Sequence, residues 1–163
     1  MSEKTIHIEH LTAEELAPYG DLLEAAGEPD KMINRGLCAR FHDRARLDFG
    51  PEGRAGISIF KGELCTLPLK LELVERHPEG SQAFFSITGA PFLVVVAPDE
   101  GGRPGRPRAF MTAQGQGVNF LRGTWHGVLT PLVEPGLFAV VDRIGTTPNL
   151  EEHWFEEPDV IRK

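Results

Sequence analysis

The sequence predicts an all-β domain with minor helix, a barrel or sandwich of short strands behind a short N-terminal helix. Two observations carry this prediction. Many segments alternate apolar and polar residues with the period of two that a half-buried strand requires. In the second half of the chain, apolar segments recur about every ten residues and are separated by Gly or Pro, which is typical of barrels and sandwiches. At 163 residues, the chain has the length of one domain, and we expect residues 1–163 to form it.

The predicted helix runs from Thr12 to about Ala17. Thr12-Ala-Glu-Glu15 has the pattern of a capping box, and its acidic residues suit the positive end of a helix dipole. Pro18-Tyr-Gly20 then ends the helix. We therefore expect residues 1–30 to form an N-terminal helix and strand arm.

The predicted strands fill most of the remaining chain. Residues 91–97 are almost continuously apolar, as in a strand that is buried on both faces. Residues 98–107 combine Gly, Pro and charge, which favours a solvated loop, and residues 151–163 are predicted to be a C-terminal arm or short helix. The predicted strands are residues 37–42, continued by 44–49, then 56–61, 67–75, 83–87, 91–97, 109–112, 117–120, 127–130 and 137–142.

Composition excludes several classes of partner. The net charge of −7 argues against binding to nucleic acid or to an anionic membrane, because both require a basic face. No apolar segment approaches the length of a membrane span, and the first ten residues lack the apolar core of a signal peptide. Cys38 and Cys65 form no C-x-x-C pattern and are interpreted as buried or idle thiols. We expect a cytoplasmic protein.

Two segments contain residues that can bind a metal. Glu75 and His77 are two residues apart, so on a strand both side chains leave the same face. Gln82 follows after a turn, and His126 lies about one hairpin beyond. Carboxylate, imidazole and amide groups in this order are candidate ligands of one metal ion, and Glu75, His77, Gln82 and His126 form the candidate set.

The same segments resemble the motifs of the cupins. Cupin barrels carry a first motif His-x-His-x(3,4)-Glu-x(6)-Gly and a second motif Gly-x(5)-Pro-x-Gly-x(2)-His-x(3)-Asn, whose His and Glu residues bind a divalent metal. Here Glu75 replaces the first His and Gln82 replaces the Glu, while His77 and His126 match. Gly89, Gly115 and Gly123 also match, whereas Leu121 and Thr130 depart from the second motif. The resemblance implies a jelly-roll barrel, also called a double-stranded β-helix.

The chain more specifically resembles the ureidoglycolate lyase family of cupins. The resemblance covers nearly the whole length, and its most specific part is Glu75-Arg-His-Pro followed by Gln82-Ala-Phe, Gly117-Val-Asn and Trp125-His126. It implies cleavage of (S)-ureidoglycolate to glyoxylate and urea in the breakdown of allantoin. Such an elimination removes a proton from the substrate hydroxyl and returns one to the departing urea nitrogen.

The resemblance and this chemistry assign expected roles to individual residues. His77, His126 and Glu75 are the catalytic candidates, and each is a candidate for the general base. Amide groups match the hydrogen-bonding pattern of urea, and a basic side chain can hold the substrate carboxylate. The predicted substrate contacts are Gln82 and Asn119 for the urea group, and Lys61 and Arg40 for the carboxylate.

The cofactor and the function class retain alternatives at this point. The resemblance implies Ni²⁺, while Mn²⁺ or Zn²⁺ would suit the same ligands. Glu75 in place of His and Gln82 in place of Glu would weaken the binding of any of these ions. No organic cofactor is expected. The alternatives are another cupin enzyme that acts on a small hydroxy acid with a divalent metal, and a non-catalytic cupin that binds a small acid. A homodimer is expected, because cupin barrels commonly pair and Trp154 and Phe155 suggest an exposed interface.

Overall fold

The computed structural model describes residues 4–163, and nearly all of its regular structure is β. The first three residues of the predicted N-terminal arm lie outside this part. The helix α1 spans Ala13–Leu16. The strands are β1 (Thr5–His10), β2 (Gly20–Leu23), β3 (Lys31–Ile33), β4 (Cys38–Arg40), β5 (Arg54–Lys61), β6 (Leu69–Lys70), β7 (Leu73–Arg76), β8 (Gln82–Ser86), β9 (Phe92–Ala97), β10 (Asp99–Glu100), β11 (Arg103–Pro104), β12 (Arg108–Met111), β13 (Gly117–Phe120), β14 (Trp125–His126), β15 (Thr130–Pro131), β16 (Leu137–Ile144), β17 (Glu151–Trp154) and β18 (Val160–Arg162).

Two large sheets build the barrel. The nine-stranded sheet has the order β17-β7-β14-β9-β12-β1-β18-β6, with β15 also paired to β9. The five-stranded sheet has the order β2-β13-β8-β16-β5, and all its pairs are antiparallel. In the nine-stranded sheet, β1 is parallel to both β12 and β18. The predicted all-β class with minor helix is confirmed, and the curled sheets have the form of a cupin-like barrel.

The main core lies between the two sheets. Aromatic rings meet across it, for example Phe92 and Phe138, whose centroids are 5.0 Å apart in an edge-to-face arrangement. The other buried members of this core include Leu11, Leu16, Phe84, Val94, Val96, Phe110, Val118, Phe120 and Val140.

Strand β9 is buried on both faces, as the sequence predicts. Its even-numbered residues, such as Val94, join the main core, and its odd-numbered residues, such as Val95, join a second apolar cluster on the other side of the nine-stranded sheet. The second cluster also contains Trp125 and Ile161. The strand is therefore covered by side chains on both sides.

The short helix forms where the capping pattern predicts it. Thr12 is the N-cap, and its side-chain oxygen accepts a hydrogen bond of 3.1 Å from the backbone N–H of Glu15. With four residues, α1 is the only α-helix within residues 4–163, and no helix in this part of the chain is long and apolar enough to cross a membrane.

Several predicted strands differ from the observed ones. Residues 67–75 form two strands, because β6 pairs with β18 and β7 pairs with β17. Residues 44–49 form no strand, since their backbone N–H groups bind side chains instead, as when Arg46 donates to Asp21 and Asp48 donates to Ser81. Residues 127–130 are likewise mostly outside the strands β14 and β15.

Two further predictions need correction. Residues 98–107 contain the small hairpin β10–β11 rather than only a loop. The helix that we considered for residues 151–163 is wrong, because β17 pairs with β7 and β18 lies between β1 and β6. Trp154 is exposed as expected, but Phe155 packs partly buried against the second cluster.

Candidate active site and metal site

Glu75, His77 and His126 lie close together on the neighbouring strands β7 and β14 and the turn after β7. One ligand atom from each lies within 4.8 Å of the others. Glu75 belongs to β7 and His77 follows the end of that strand, so the two side chains share a face as their spacing predicts. His126 on β14 is paired directly opposite Glu75. The strand register therefore assembles the cluster.

His126 is held in one tautomer. Its ring is 1% exposed and stacks on Phe120, with centroids 4.3 Å apart and the planes within 2° of parallel. Its Nδ1 lies 2.9 Å from the carbonyl oxygen of Gly127, and because a carbonyl only accepts, Nδ1 carries the proton. Burial and the neighbouring His77 lower the pKa of His126 to about 3. The ring is therefore neutral near pH 7 and offers an Nε2 lone pair.

His77 is oriented by a similar contact. Its Nδ1 lies 2.8 Å from the backbone oxygen of Asn149, so Nδ1 is again the protonated nitrogen. Its Nε2 lies 3.9 Å from Oε1 of Glu75. The Nε2 atoms of His77 and His126 are both buried, and neither has a hydrogen-bond partner. Two imidazole lone pairs are thus free at the same place.

Glu75 is a carboxyl group with an unusual environment. Burial raises the pKa of Glu75, the nearby His77 opposes that rise, and repulsion from Glu152 adds to it. Its side chain is 20% exposed. A carboxylate with a raised pKa can both accept and return a proton closer to neutral pH than an ordinary glutamate.

Gln82 begins β8 and faces the interior of the barrel. It shares that face with Phe84 and is paired opposite Phe120, the residue that stacks on His126. Its amide nitrogen donates a 3.1 Å hydrogen bond to Asp142, and since a carboxylate only accepts, this contact determines which amide atom is the oxygen. The oxygen, Oε1, is buried and has no partner.

The donor set fits a divalent metal ion. The cluster offers one carboxylate and two imidazole lone pairs, and Gln82 carries an unpartnered amide oxygen on the same interior side. The two imidazole nitrogens and the amide oxygen are buried without a hydrogen-bond partner, and such acceptors are costly unless a cation or a donor-rich ligand satisfies them. Nitrogen and oxygen ligands of this kind suit first-row divalent metals.

Asn119 lies on the other face of its sheet. On β13, its neighbours Val118 and Phe120 point into the main core, so Asn119 points outward. Its amide nitrogen donates to Asp21 at 3.0 Å and to the backbone oxygen of Arg46 at 3.3 Å. Asn119 is therefore fully buried but separated from the cluster by its own strand.

Lys61 and Arg40 are also outside the cluster. Lys61 ends β5 and is exposed on the outer face of the five-stranded sheet, because its neighbour Phe60 packs against the core. Arg40 is exposed in the hairpin formed by β3 and β4. Within one chain, neither side chain shares the interior that holds Gln82.

Two neighbours of the cluster have no counterpart among the sequence predictions. Asn149 supplies a backbone oxygen to His77, and the residue type at position 149 does not indicate this contact because every residue has that oxygen. Phe120 supplies the face on which His126 stacks, and its apolar character predicts only burial. The bond from Gln82 to Asp142 follows from strand register, which pairs the two residues on β8 and β16 and which the sequence alone does not supply.

Comparison with known proteins agrees with these observations. The family model described as ureidoglycolate lyase matches residues 3–162. The ureidoglycolate lyase of Rhodobacter capsulatus is 62% identical over 154 residues, which cover 94% of this chain and 96% of that protein. Ureidoglycolate lyase 2 of Rhizobium meliloti is 55% identical over 152 residues, 93% of each chain. The ureidoglycolate lyase of Chelativorans sp. is 53% identical over 156 residues, 95% of this chain and 94% of that protein.

Proposed function

The chain belongs to the ureidoglycolate lyase family, and we propose that it cleaves (S)-ureidoglycolate to glyoxylate and urea during the breakdown of allantoin. The observation that carries the proposal is the convergence of Glu75, His77 and His126, with three acceptor groups inside one barrel. The substrate carries a hydroxyl, a carboxylate and a urea group on one carbon, so it brings the proton donors that such a pocket lacks.

We assign Glu75 as the proton carrier. The hydroxyl proton passes to Glu75, the O–H electron pair forms the C=O bond of glyoxylate, and the C–N bond breaks with its electrons on the urea nitrogen. The protonated Glu75 then returns the proton to that nitrogen. The raised pKa of Glu75 supports this role, whereas the low pKa of His126 makes that ring a poor base.

Glu75, His77, Gln82 and His126 would hold the divalent metal that the family resemblance implies, with Ni²⁺ as the expected ion. A metal in this position supplies Lewis acidity at the hydroxyl oxygen of a 2-hydroxy acid. A carboxylate has two oxygens, so Glu75 can bind an ion through one and accept a proton through the other. The unpartnered Oε1 of Gln82 supports its place as a ligand or as an acceptor for a urea N–H. The substrate contacts of Asn119, Lys61 and Arg40 stay predictions.

The test is to incubate pure protein with racemic ureidoglycolate and to follow urea and glyoxylate, with and without a chelator. We expect release above the spontaneous rate, a stop near half of the racemate, and loss of activity on chelation that Ni²⁺ restores. Release no faster than the spontaneous rate would contradict the lyase function. Activity that a chelator leaves unchanged would contradict the metal but not the role of Glu75, which rests on the raised pKa of that residue.

We also propose that the chain forms a homodimer through the outer face of its five-stranded sheet. Side chains on neighbouring strands β5, β16 and β8 form regular rows there, and the row of Ile59, Ala139 and Phe85 is an example. Ile57 is 75% exposed and Ile59 is 62% exposed. We call this surface the apolar face; its outward-pointing positions are Ile57, Ile59, Lys61, Leu137, Ala139, Val141, Phe85 and Ile87, together with Ala83, which is already buried within the chain.

A second copy of the chain is the occupant that the charge pattern favours. The protein carries a net charge of −7, yet Lys61 is the one charged residue among the nine positions of the apolar face. Two acidic molecules can therefore meet there without opposing carboxylates, and large exposed apolar surfaces commonly mark such interfaces.

Two further proposals concern organisation and location. We propose that residues 1–163 form one domain, because β1 near the start of the chain pairs with β18 near its end. A cytoplasmic location is supported by two free cysteines, of which Cys38 is exposed, since unpaired thiols are typical of reducing compartments.

A further inference from the structure

A short segment crosses from one sheet to the other beside His77. Residues 145–150, which we call the strap, connect β16 of the five-stranded sheet to β17 of the nine-stranded sheet. Strand β17 pairs with β7, the strand that carries Glu75. The strap therefore ends next to the candidate site.

The C-terminal end of the strap makes two hydrogen bonds to the turn around His77. The backbone oxygen of Asn149 accepts from Nδ1 of His77 at 2.8 Å. The side-chain oxygen of the same Asn149 accepts from the backbone N–H of Glu79 at 2.7 Å. The side-chain bond fixes the position of the Asn149 backbone relative to His77, and the backbone bond fixes the imidazole.

The N-terminal end of the strap is anchored by Arg143. The side chain of Arg143 is only 2% exposed, and one of its terminal nitrogens donates to the hydroxyl of Thr147 at 2.9 Å. Glycines enclose the guanidinium, and a Cβ added at Gly145 would come within 2.5 Å of it. The arginine therefore has little freedom to move, and Thr147 ties the strap to it.

We propose that Asn149 is a positioning residue for His77, and that Arg143 keeps the strap in place through Thr147. The strap holds His77 with its proton on Nδ1 and its Nε2 lone pair directed at Glu75 and His126. The proposal deepens the lyase function proposed above and rests on it for its catalytic consequence. Its structural content, the tautomer and orientation of one imidazole, is independent of the reaction.

The first test compares Asn149→Ala with Asn149→Asp. Asparagine and aspartate both present an acceptor oxygen to the N–H of Glu79, whereas alanine presents none. We expect Asn149→Ala to lower kcat and Ni²⁺ affinity by roughly 10–100-fold, the usual range for groups that orient a metal ligand. We expect Asn149→Asp to recover most of that loss.

The decisive measurement is ¹⁵N NMR of the histidine side chains in metal-free protein, with His77 assigned by loss of its signals in His77→Gln. The wild type and Asn149→Asp should show His77 protonated at Nδ1, and Asn149→Ala should show a mixture of tautomers. An unchanged tautomer together with unchanged Ni²⁺ affinity in Asn149→Ala would overturn the proposal. A merely structural role would lower the melting temperature without changing the tautomer.

Two adjacent threonines provide a matched control for the anchor. Thr147 accepts the bond from Arg143, whereas the hydroxyl of the exposed Thr146 makes no hydrogen bond within the described structure. We expect Thr147→Val to reduce Ni²⁺ affinity and Thr146→Val to leave it unchanged. Equal effects of the two substitutions would contradict the role of Arg143.

Failure of the lyase function can be distinguished from failure of this inference. If the wild type released no urea while Asn149→Ala still altered the His77 tautomer and Ni²⁺ affinity, the positioning role would stand and the reaction would be wrong. If the wild type were active and Asn149→Ala matched it in tautomer, affinity and rate, the reaction would stand and the positioning role would be wrong.

Discussion

At the level of single residues, the site is defined by which atoms remain without partners. His77 and His126 each use Nδ1 in a bond to a backbone carbonyl, and Gln82 uses its amide nitrogen in a bond to Asp142. In each case the contact occupies a donor and leaves an acceptor facing the interior. The pocket is therefore suited to a metal ion or to a ligand rich in N–H and O–H groups.

His126 is the residue whose replacement tests the cluster most directly. We expect His126→Gln to lower kcat by at least about 100-fold, because the site loses the Nε2 lone pair with which His126 would bind a metal or the substrate. The measurement is the steady-state release of urea and glyoxylate. His10→Gln is the control, since His10 is exposed at the end of β1 and should retain full activity. Equal rates in the two variants would exclude His126 from the site.

Asp21 gives a prediction about stability and pH. Burial alone would raise the pKa of Asp21, but hydrogen bonds from Arg46 and Asn119 outweigh it, so the net effect is a pKa below the usual value. A carboxyl whose pKa is lowered by folding stabilises the protein above its unfolded pKa, and this contribution disappears as the pH falls through the folded pKa. We expect Asp21→Asn to cost about 1–3 kcal/mol at pH 7, the range for charged hydrogen bonds, and progressively less below about pH 4.

Urea denaturation at pH 7 and pH 3 measures that difference. Asp43→Asn is a suitable control, because Asp43 is exposed and makes no hydrogen bond in the described structure. If Asp21→Asn lowered the free energy of unfolding equally at both pH values, ionisation of Asp21 would not contribute to stability.

At the level of elements, the sequence predicts strands well where apolar residues mark a face. The strands β8, β9, β13 and β16 appear within one or two residues of their predicted bounds, because their side chains pack in the cores. By contrast, the expected helix and strand arm of residues 1–30 gives no bounds for β1, and the expected arm of residues 151–163 gives no strand for β18. Charged and polar residues interrupt both strands, and their pairing depends on distant segments. Local periodicity carries no information about such partners.

The same limit applies to the site. The period of two correctly brings Glu75 and His77 to one face, and the hairpin spacing brings His126 beside them. It does not reveal that Phe120, rather than Asn119, points into the barrel, because a shift of one residue exchanges the two faces of a strand. Nor can it reveal Asn149, whose contact with His77 uses a backbone oxygen that every residue has.

The C-terminal strand is an integral part of the nine-stranded sheet, and this can be tested with two isoleucines. Ile161 on β18 is 0% exposed and lies in the second apolar cluster, whereas Ile144 at the end of β16 is 37% exposed. We expect Ile161→Ala to lower the free energy of unfolding by about 2–5 kcal/mol, the usual cost of removing a buried aliphatic side chain. Ile144→Ala should cost much less. Similar costs, measured by urea denaturation, would show that β18 is a peripheral arm.

At the level of the whole molecule, two exposed apolar surfaces compete as dimer contacts. One is the apolar face on the five-stranded sheet, and the other surrounds Trp154 on β17, which is 61% exposed. The apolar face is the larger, since it extends over three adjacent strands. Trp154 is instead one exposed ring on an edge strand, with its neighbour Phe155 turned inward.

Ile59→Glu and Trp154→Glu distinguish these two surfaces. We expect Ile59→Glu to convert the dimer into a folded monomer, because each interface would bury an unpaired carboxylate, and we expect Trp154→Glu to remain dimeric. Light scattering after size-exclusion chromatography measures the mass, and circular dichroism confirms folding. A dimer that survived Ile59→Glu but dissociated in Trp154→Glu would assign the interface to β17.

The double burial of β9 has a consequence for the lifetime of the site. Strands β12, β14 and β15 all hydrogen-bond to β9, and side chains cover both of its faces. Its amide protons should consequently be among the last to exchange with solvent, by opening of the whole fold rather than of one part. His126 is paired directly with Val96 on this strand. The backbone of His126 should therefore be displaced only when the barrel itself opens, so that the site persists as long as the most protected part of the molecule.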